Sequence, residues 1–258
     1  EKTRSVNIGT DFSFFNRRLG ATFEYYNKKG KEARNHGLYN IAEQWFLKGI
    51  AIAESEAHDA ISPNRYLSYT NLRDLYADIK QYYYALIYAR KALKENQRLT
   101  SVNDYRFYLP YTAIAEIYKL KGDKKECFAC IDSLFLSAHS MEEPKELSWL
   151  YITRGGCHAA FNDYSAALAD YKKADEILAV KYPQSDADRI DLLPLMGGME
   201  HRLNNFAESE RLYKLYAEQL VALQGENSIE SINAQIYLAN AEGFAGHTDA
   251  GCSDYAMA

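Results

Sequence analysis

Cys127-Phe128-Ala129-Cys130 forms a CxxC, and Cys157-His158 follows about thirty residues later. A redox role needs such a thiol at a helix N-terminus, where the dipole lowers its pKa. The apolar periodicity instead places this CxxC inside a helix, with Cys127 at a position reserved for a small residue. It reads as two small buried residues one turn apart. Together with Cys157 and His158 the pair offers four donors, the number a structural zinc takes. The spacing follows no zinc motif, so no metal is expected. The six histidines are scattered and form no HExxH, and GxSxG, GxxxxGK[ST] and GxGxxG are all missing from the sequence. Arg154-Gly155-Gly156 falls within an expected helix, which rules it out as a phosphate loop. Glu142-Glu143 reads as a solvated link. No catalytic residue and no cofactor follows from this inventory, and the chain is expected to be non-enzymatic.

The glycine pairs Gly155-Gly156 and Gly197-Gly198 carry a sharper signal. Each lies inside an expected helix, where a glycine costs about 1 kcal/mol relative to alanine. Gly155 and Gly197 sit where a small residue permits close helix approach. Gly156 and Gly198 come one residue later and should face a groove, leaving its floor bare. Ala159 and Ala160 would extend that floor, with Trp149, Ile152, His201 and Arg202 around it. Two readings stand: a pocket, or a loosened helix near Pro194.

These residues need elements to position them, and a repeat supplies those elements. Six copies of one pattern carry a small residue at Ala42, Ala85, Cys127, Ala167, Ser209 and Gly251, spaced 43, 42, 40, 42 and 42 residues apart. A period in this range is the mark of a solenoid. Each copy reads as two helices. In the second, Leu72, Leu75, Tyr76 and Ile79 keep helical spacing, Lys80-Gln81 break it, and Tyr82, Ala85, Tyr88, Ala89 and Ala92 resume it. Gly37, Gly122-Asp123, Asn162-Asp163, Asn204-Asn205 and Gly246 mark the other turns, because Gly and Asn tolerate a left-handed backbone. Pro63, Pro144 and Pro183 precede first helices, and Asn227 with Glu230 suggests a capping box for the sixth. Pro110 and Pro194 fall inside expected helices, which must start late or bend there.

On these residues the chain resembles the tetratricopeptide repeat family. Tyr39-Asn40-Ile41-Ala42 with Phe46, and Asp163-Tyr164-Ser165-Ala166-Ala167 with Tyr171 and Ala174, are similar to its second-helix signature. Asn71-Leu72 with Tyr76, Ala115 with Tyr118, and Gly155 are similar to the first. The longer unit resembles the kinesin light chain branch, most clearly from Gly225 through Asn227, Ser228 and Ile236 to Ala239. The resemblance implies an all-α, right-handed superhelical solenoid. The expected layout is an N-terminal extension or cap over 1–22, then six repeats over 23–258 at about 23–62, 63–100, 101–143, 144–183, 184–226 and 227–258. Ser209 and Gly251 replace the usual alanine, and His158 and Glu200 replace an aromatic, so repeats four and five should pack less regularly. Phe12, Phe14 and Phe15 would cap the first repeat or fold into the groove. The sixth repeat breaks off within its second helix, so the pattern is expected to run on past Ala258.

The resemblance also implies a concave groove on the first helices. Periodicity assigns it Asn27, Lys31 and Arg34 in repeat one, then Thr70, Asp74 and Asp78 in repeat two. Thr112 and Glu116 follow in repeat three, and Asn240 in repeat six. The groove should run from basic to acidic. A carboxylate clamp is hinted at only by Asn71, because Leu109 and Ala113 stand where its basic residues belong. The expected partner is a protein or peptide, held on a scaffold or on the sensing module of a longer signalling protein. The net charge of −5 argues against nucleic acid, and no apolar run is long enough to span a bilayer. Four cysteines are too few for a disulfide framework. They fit a reducing compartment such as the cytoplasm without excluding the periplasm.

Overall fold

A computed structural model describes residues 8–55, 62–100, 105–137 and 143–246, with the backbone alone for 8–19, 105 and 137. Every extended element among them is a helix, and the chain divides into two compact units, 1–123 and 124–258. Unit 1 holds α1 (Ile8–Asn35), α2 (Tyr39–Glu54), α3 (Pro63–Asp78), α4 (Tyr82–Leu99), a 3-10 turn (Tyr105–Phe107) and α5 (Leu109–Lys121). Unit 2 holds α6 (Lys124–Ser137), α7 (Pro144–Ala160), α8 (Tyr164–Ala179), α9 (Ala187–Arg202), α10 (Phe206–Gln224) and α11 (Ile229–Ala245). Within each unit, helices adjacent in the chain pack on one another, with α1–α2, α3–α4, α7–α8 and α9–α10 as hairpins. The fold is all-α and built of helix pairs, as the repeat implies.

The small-residue positions explain why the hairpins close. Ala42, Ala85, Cys127, Ala167 and Ser209 are fully buried, so backbones approach closely at each. Gly251 lies outside the described residues. Ser209 is accommodated because its hydroxyl donates to the Gly197 carbonyl at 2.9 Å. Large side chains then fill the seams: Phe46, Leu72 and Leu75 in unit 1, Leu178, Leu192 and Leu193 in unit 2. The turns adopt the expected left-handed backbone at Gly37, Gly122, Asn162, Asn204 and Gly246, and Lys80 does so without being Gly or Asn.

Helix starts differ from expectation in instructive ways. Pro110 is no interior proline: α5 begins at Leu109, so the missing N–H falls in the first turn, where no helical partner exists. Pro194 does lie inside α9, and it cannot return the helical hydrogen bond to the Ile190 carbonyl. The cap of α11 is Ser228 rather than Asn227; its hydroxyl accepts the Ser231 N–H at 3.0 Å. Asp186 caps α9, with Pro183 further upstream. Helix α1 runs unbroken from Ile8 across the expected boundary at residue 22, while the side chains of Phe12, Phe14 and Phe15 lie outside those described. Glu200, where an aromatic was expected, is only 3% exposed. Lys172 Nζ and Asn205 Nδ2 donate to its carboxylate at 2.9 and 2.7 Å. His158 fills its own place by packing against Phe128, ring centres 4.6 Å apart and the planes tilted by 48°.

Candidate peptide-binding site

In unit 1 the anticipated groove residues divide by what they touch. Asn27 and Asn71 are each 5% exposed, and the Asn71 amide donates to Asn27 Oδ1 at 3.0 Å. They are therefore buried partners and not open groove side chains, which removes the hint of a carboxylate clamp. Arg34 Nε donates to Asp78 at 2.6 Å, and its guanidinium lies 3.7 Å from Asp74. The hydrogen bond to Asp78 raises the Arg34 pKa further. Asp74 also accepts from Arg73 at 2.7 Å. The expected run from basic to acidic is thus locally neutralised. The Thr70 and Thr112 hydroxyls donate to their own helices at the Leu67 and Leu109 carbonyls. Lys31 and Glu116 are exposed, Glu116 beside Lys119. A hollow of about 330 Å³ lined by Gly37, Leu38, Tyr39, Asn40 and Ile41 sits at the α1–α2 turn.

In unit 2 the two glycines of each pair differ. A methyl built on Gly155 would lie 2.6 Å from the Tyr171 ring, and one on Gly197 would lie 3.2 Å from the Tyr213 ring. Hairpin packing excludes a side chain at Gly155 and leaves only a tight fit for one at Gly197. A methyl on Gly156 would meet only the Tyr171 hydroxyl, at 3.9 Å, and one on Gly198 only the Tyr213 hydroxyl, at 3.5 Å. Packing does not require glycine at either place. Trp149, Ile152 and Gly156 are half-buried on α7, Gly198 and His201 half-buried on α9, and Arg202 and Asn240 exposed. His201 is engaged by an aromatic cluster, 5.3 Å from Phe206 and 4.6 Å from Phe244 between ring centres. The Arg202 guanidinium lies 5.9 Å from the Tyr164 ring centre.

Tyr171 and Tyr213 are the residues that sequence reasoning passed over as site components. The available signal was their register: each follows its glycine pair at the same distance, 155 to 171 and 197 to 213. Arg154, beside the first pair, is held by Asp170, with Nε donating at 2.9 Å, and its guanidinium lies 4.3 Å from the Phe135 ring centre. That hydrogen bond raises the Arg154 pKa further.

The thiols are placed differently from expectation. Cys127 lies in the first turn of α6, nearer the N-terminus than the periodicity implied, and its sulfur approaches Cys157 at 3.2 Å. Both are buried, whereas Cys130 is half-buried, which corrects the view of two buried residues within the motif. Among the described residues no three His, Cys, Asp or Glu side chains gather in a way that could hold a metal ion. No described helix is long and apolar enough to cross a membrane.

Neither family models nor curated proteins match the chain. Solved structures do. Nearly identical TPR-like repeats of a kinesin light chain type from Podosopora anserina share 14% identity at a TM-score of 0.62, over 80% of this chain and 96% of that one. BtubC (BKLC) from P. vanneervenii shares 16% identity at a TM-score of 0.66, over 88% and 91%. A Rap protein complexed with competence and sporulation factor shares 14% at a TM-score of 0.59, over 92% and 73%. At these identities the likeness establishes the fold: helix pairs of the tetratricopeptide repeat kind.

Proposed function

We propose that this chain, a TPR-like repeat protein by fold, is a non-enzymatic scaffold that binds a peptide or protein segment along the first-helix faces of its hairpins. One observation carries the reading. Gly156 and Gly198 stand inside helices where packing leaves room for a methyl group, although each helical glycine costs about 1 kcal/mol. A bare helix face allows a ligand backbone to approach closely. Extended grooves on repeat arrays suit peptide segments for the same reason. The Rap structure, which holds competence and sporulation factor on the same fold, is compatible with this use. It also favours a second reading, in which the chain is the sensing module of a longer signalling protein.

The test is a selection of phage-displayed random dodecamers on the intact chain, followed by titration of a selected peptide. Gly198→Leu should abolish or strongly weaken that binding while far-UV circular dichroism stays unchanged. Binding that is indifferent to Gly198→Leu, or a selection without binders, overturns the assignment. The sensing reading adds one expectation: the bound peptide should slow amide exchange in helices it does not touch.

A further inference from the structure

The hairpin slot that closes with alanine in α2, α4 and α8 holds a thiol in α6, and that thiol meets a second one from α7. The Cys127 and Cys157 sulfurs lie 3.2 Å apart, and both side chains are buried. Both residues belong to unit 2, so the contact lies within one compact body. They stand 30 residues apart in the chain. The same step leads from Ala42 to Leu72 and from Ala85 to Ala115, and all four of those residues are fully buried. Hydrocarbon therefore fills these positions in unit 1, and packing alone does not call for sulfur. A buried cysteine packs as a small hydrophobe; what separates it from alanine is its chemistry.

We infer that Cys127 and Cys157 close a reversible disulfide that straps α6 to α7 when hydrogen peroxide oxidises the chain. A disulfide bond is about 2.05 Å long, so the two sulfurs have only about 1.1 Å to close from 3.2 Å. The partner of Cys127 is thus the thiol of the next helix, not the other member of its CxxC. Cys127 stands in the first turn of α6, where the positive end of the helix dipole favours a thiolate. Its sulfur attacks one peroxide oxygen: the S–O bond forms, the O–O bond breaks, and the departing oxygen leaves as water with the thiol proton. Cys157 then attacks the sulfur of that sulfenic acid. The S–S bond forms, the S–O bond breaks, and a second water leaves with the Cys157 proton. Two thiols are oxidised and one peroxide is reduced. Both sulfurs are buried, so the peroxide enters by local opening of the helices. A low-molecular-weight thiol reverses the bond by exchange. The bond closes a loop across the α6–α7 link and so constrains the unfolded chain. Cys157 directly follows Gly156, and the bond fastens α7 beside its glycine pair.

The experiment starts from the intact chain, reduced with dithiothreitol and desalted, then treated with hydrogen peroxide, alkylated and digested with trypsin without reductant. The expected product links the peptide 126–145, which carries Cys127 and Cys130, to the peptide 155–172, which carries Cys157. The oxidised chain should still run as a monomer on a non-reducing gel. Cys130→Ser should keep the link, whereas Cys127→Ser and Cys157→Ser should each lose it. Oxidation should raise the thermal midpoint, followed by Trp149 emission in a Trp45→Phe background, by about 5 °C, and dithiothreitol should bring it back. The inference fails if Cys127 pairs with Cys130 inside one peptide, if Cys157 is recovered alkylated, if the link joins two chains, or if the midpoint does not move. Should Cys127→Ser or Cys157→Ser not fold, the peptide map of Cys130→Ser still decides, because Cys127 is then the only cysteine in its peptide.

Discussion

Two neighbouring glycines in one helix should respond oppositely to the same substitution. Gly155→Ala pushes a methyl to 2.6 Å from the Tyr171 ring and 3.2 Å from the Ala167 carbonyl. The ring is enclosed in the core with Leu168, Leu192 and Met196, so it cannot withdraw. A loss of about 1–3 kcal/mol is expected, as for other overpacked sites. Gly156→Ala meets nothing closer than 3.9 Å, and should gain about 1 kcal/mol from helix propensity. Urea denaturation of the two variants checks the pair, and equal signs would contradict the geometry. The same tyrosine has a pH signature. Burial pushes the Tyr171 phenol up to about 12, whereas an unfolded tyrosine ionises near 10. Its stabilising contribution is therefore complete below about pH 10 and is lost as the pH rises toward 12. The parent chain should lose more stability over that interval than Tyr171→Phe, measured by denaturant midpoints at a series of alkaline pH values.

Most of the elements were legible because they depend on local rules. The 42-residue period located the buried slots at Ala42, Ala85 and Ala167, and the turn residues Gly37, Asn162 and Asn204 located the breaks. What was not legible depends on register between distant helices. The Asn27–Asn71 bond and the Arg34–Asp78 pair each join residues 44 apart, and no local pattern announces that they consume one another. Neither does periodicity show that the Tyr171 hydroxyl emerges beside Gly156. The start of α11 was missed by one residue for a related reason: Ser228 wins over Asn227 because its hydroxyl reaches the Ser231 N–H. One turn remains out of line with local preference. Lys80 is held at φ 59° between α3 and α4, where a side chain costs about 1 kcal/mol or more. Glycine removes that penalty but enlarges the unfolded ensemble, so Lys80→Gly should raise stability by at most about 1 kcal/mol. A calorimetric midpoint that falls would show the Lys80 side chain to be engaged.

At the scale of the whole chain, helices pack mainly on their neighbours in sequence. Stability in such arrays is close to a sum of local interfaces, without one core that must form at once. The two units each have their own helices and buried residues, and the division falls between Asp123 and Lys124. The sequence carries two tryptophans, Trp45 in unit 1 and Trp149 in unit 2. Trp45 packs against Tyr25 and Tyr26 with ring centres 5.9 and 5.6 Å away, and Trp149 is half-buried on α7, so both should change emission on unfolding. Trp45→Phe leaves a reporter for unit 2, and Trp149→Phe one for unit 1. If local interfaces dominate, the two reporters should show different urea midpoints, and neither should coincide with helix loss followed at 222 nm. Coincident transitions from all three signals would mean two-state unfolding of the entire chain, and would refute the additive picture.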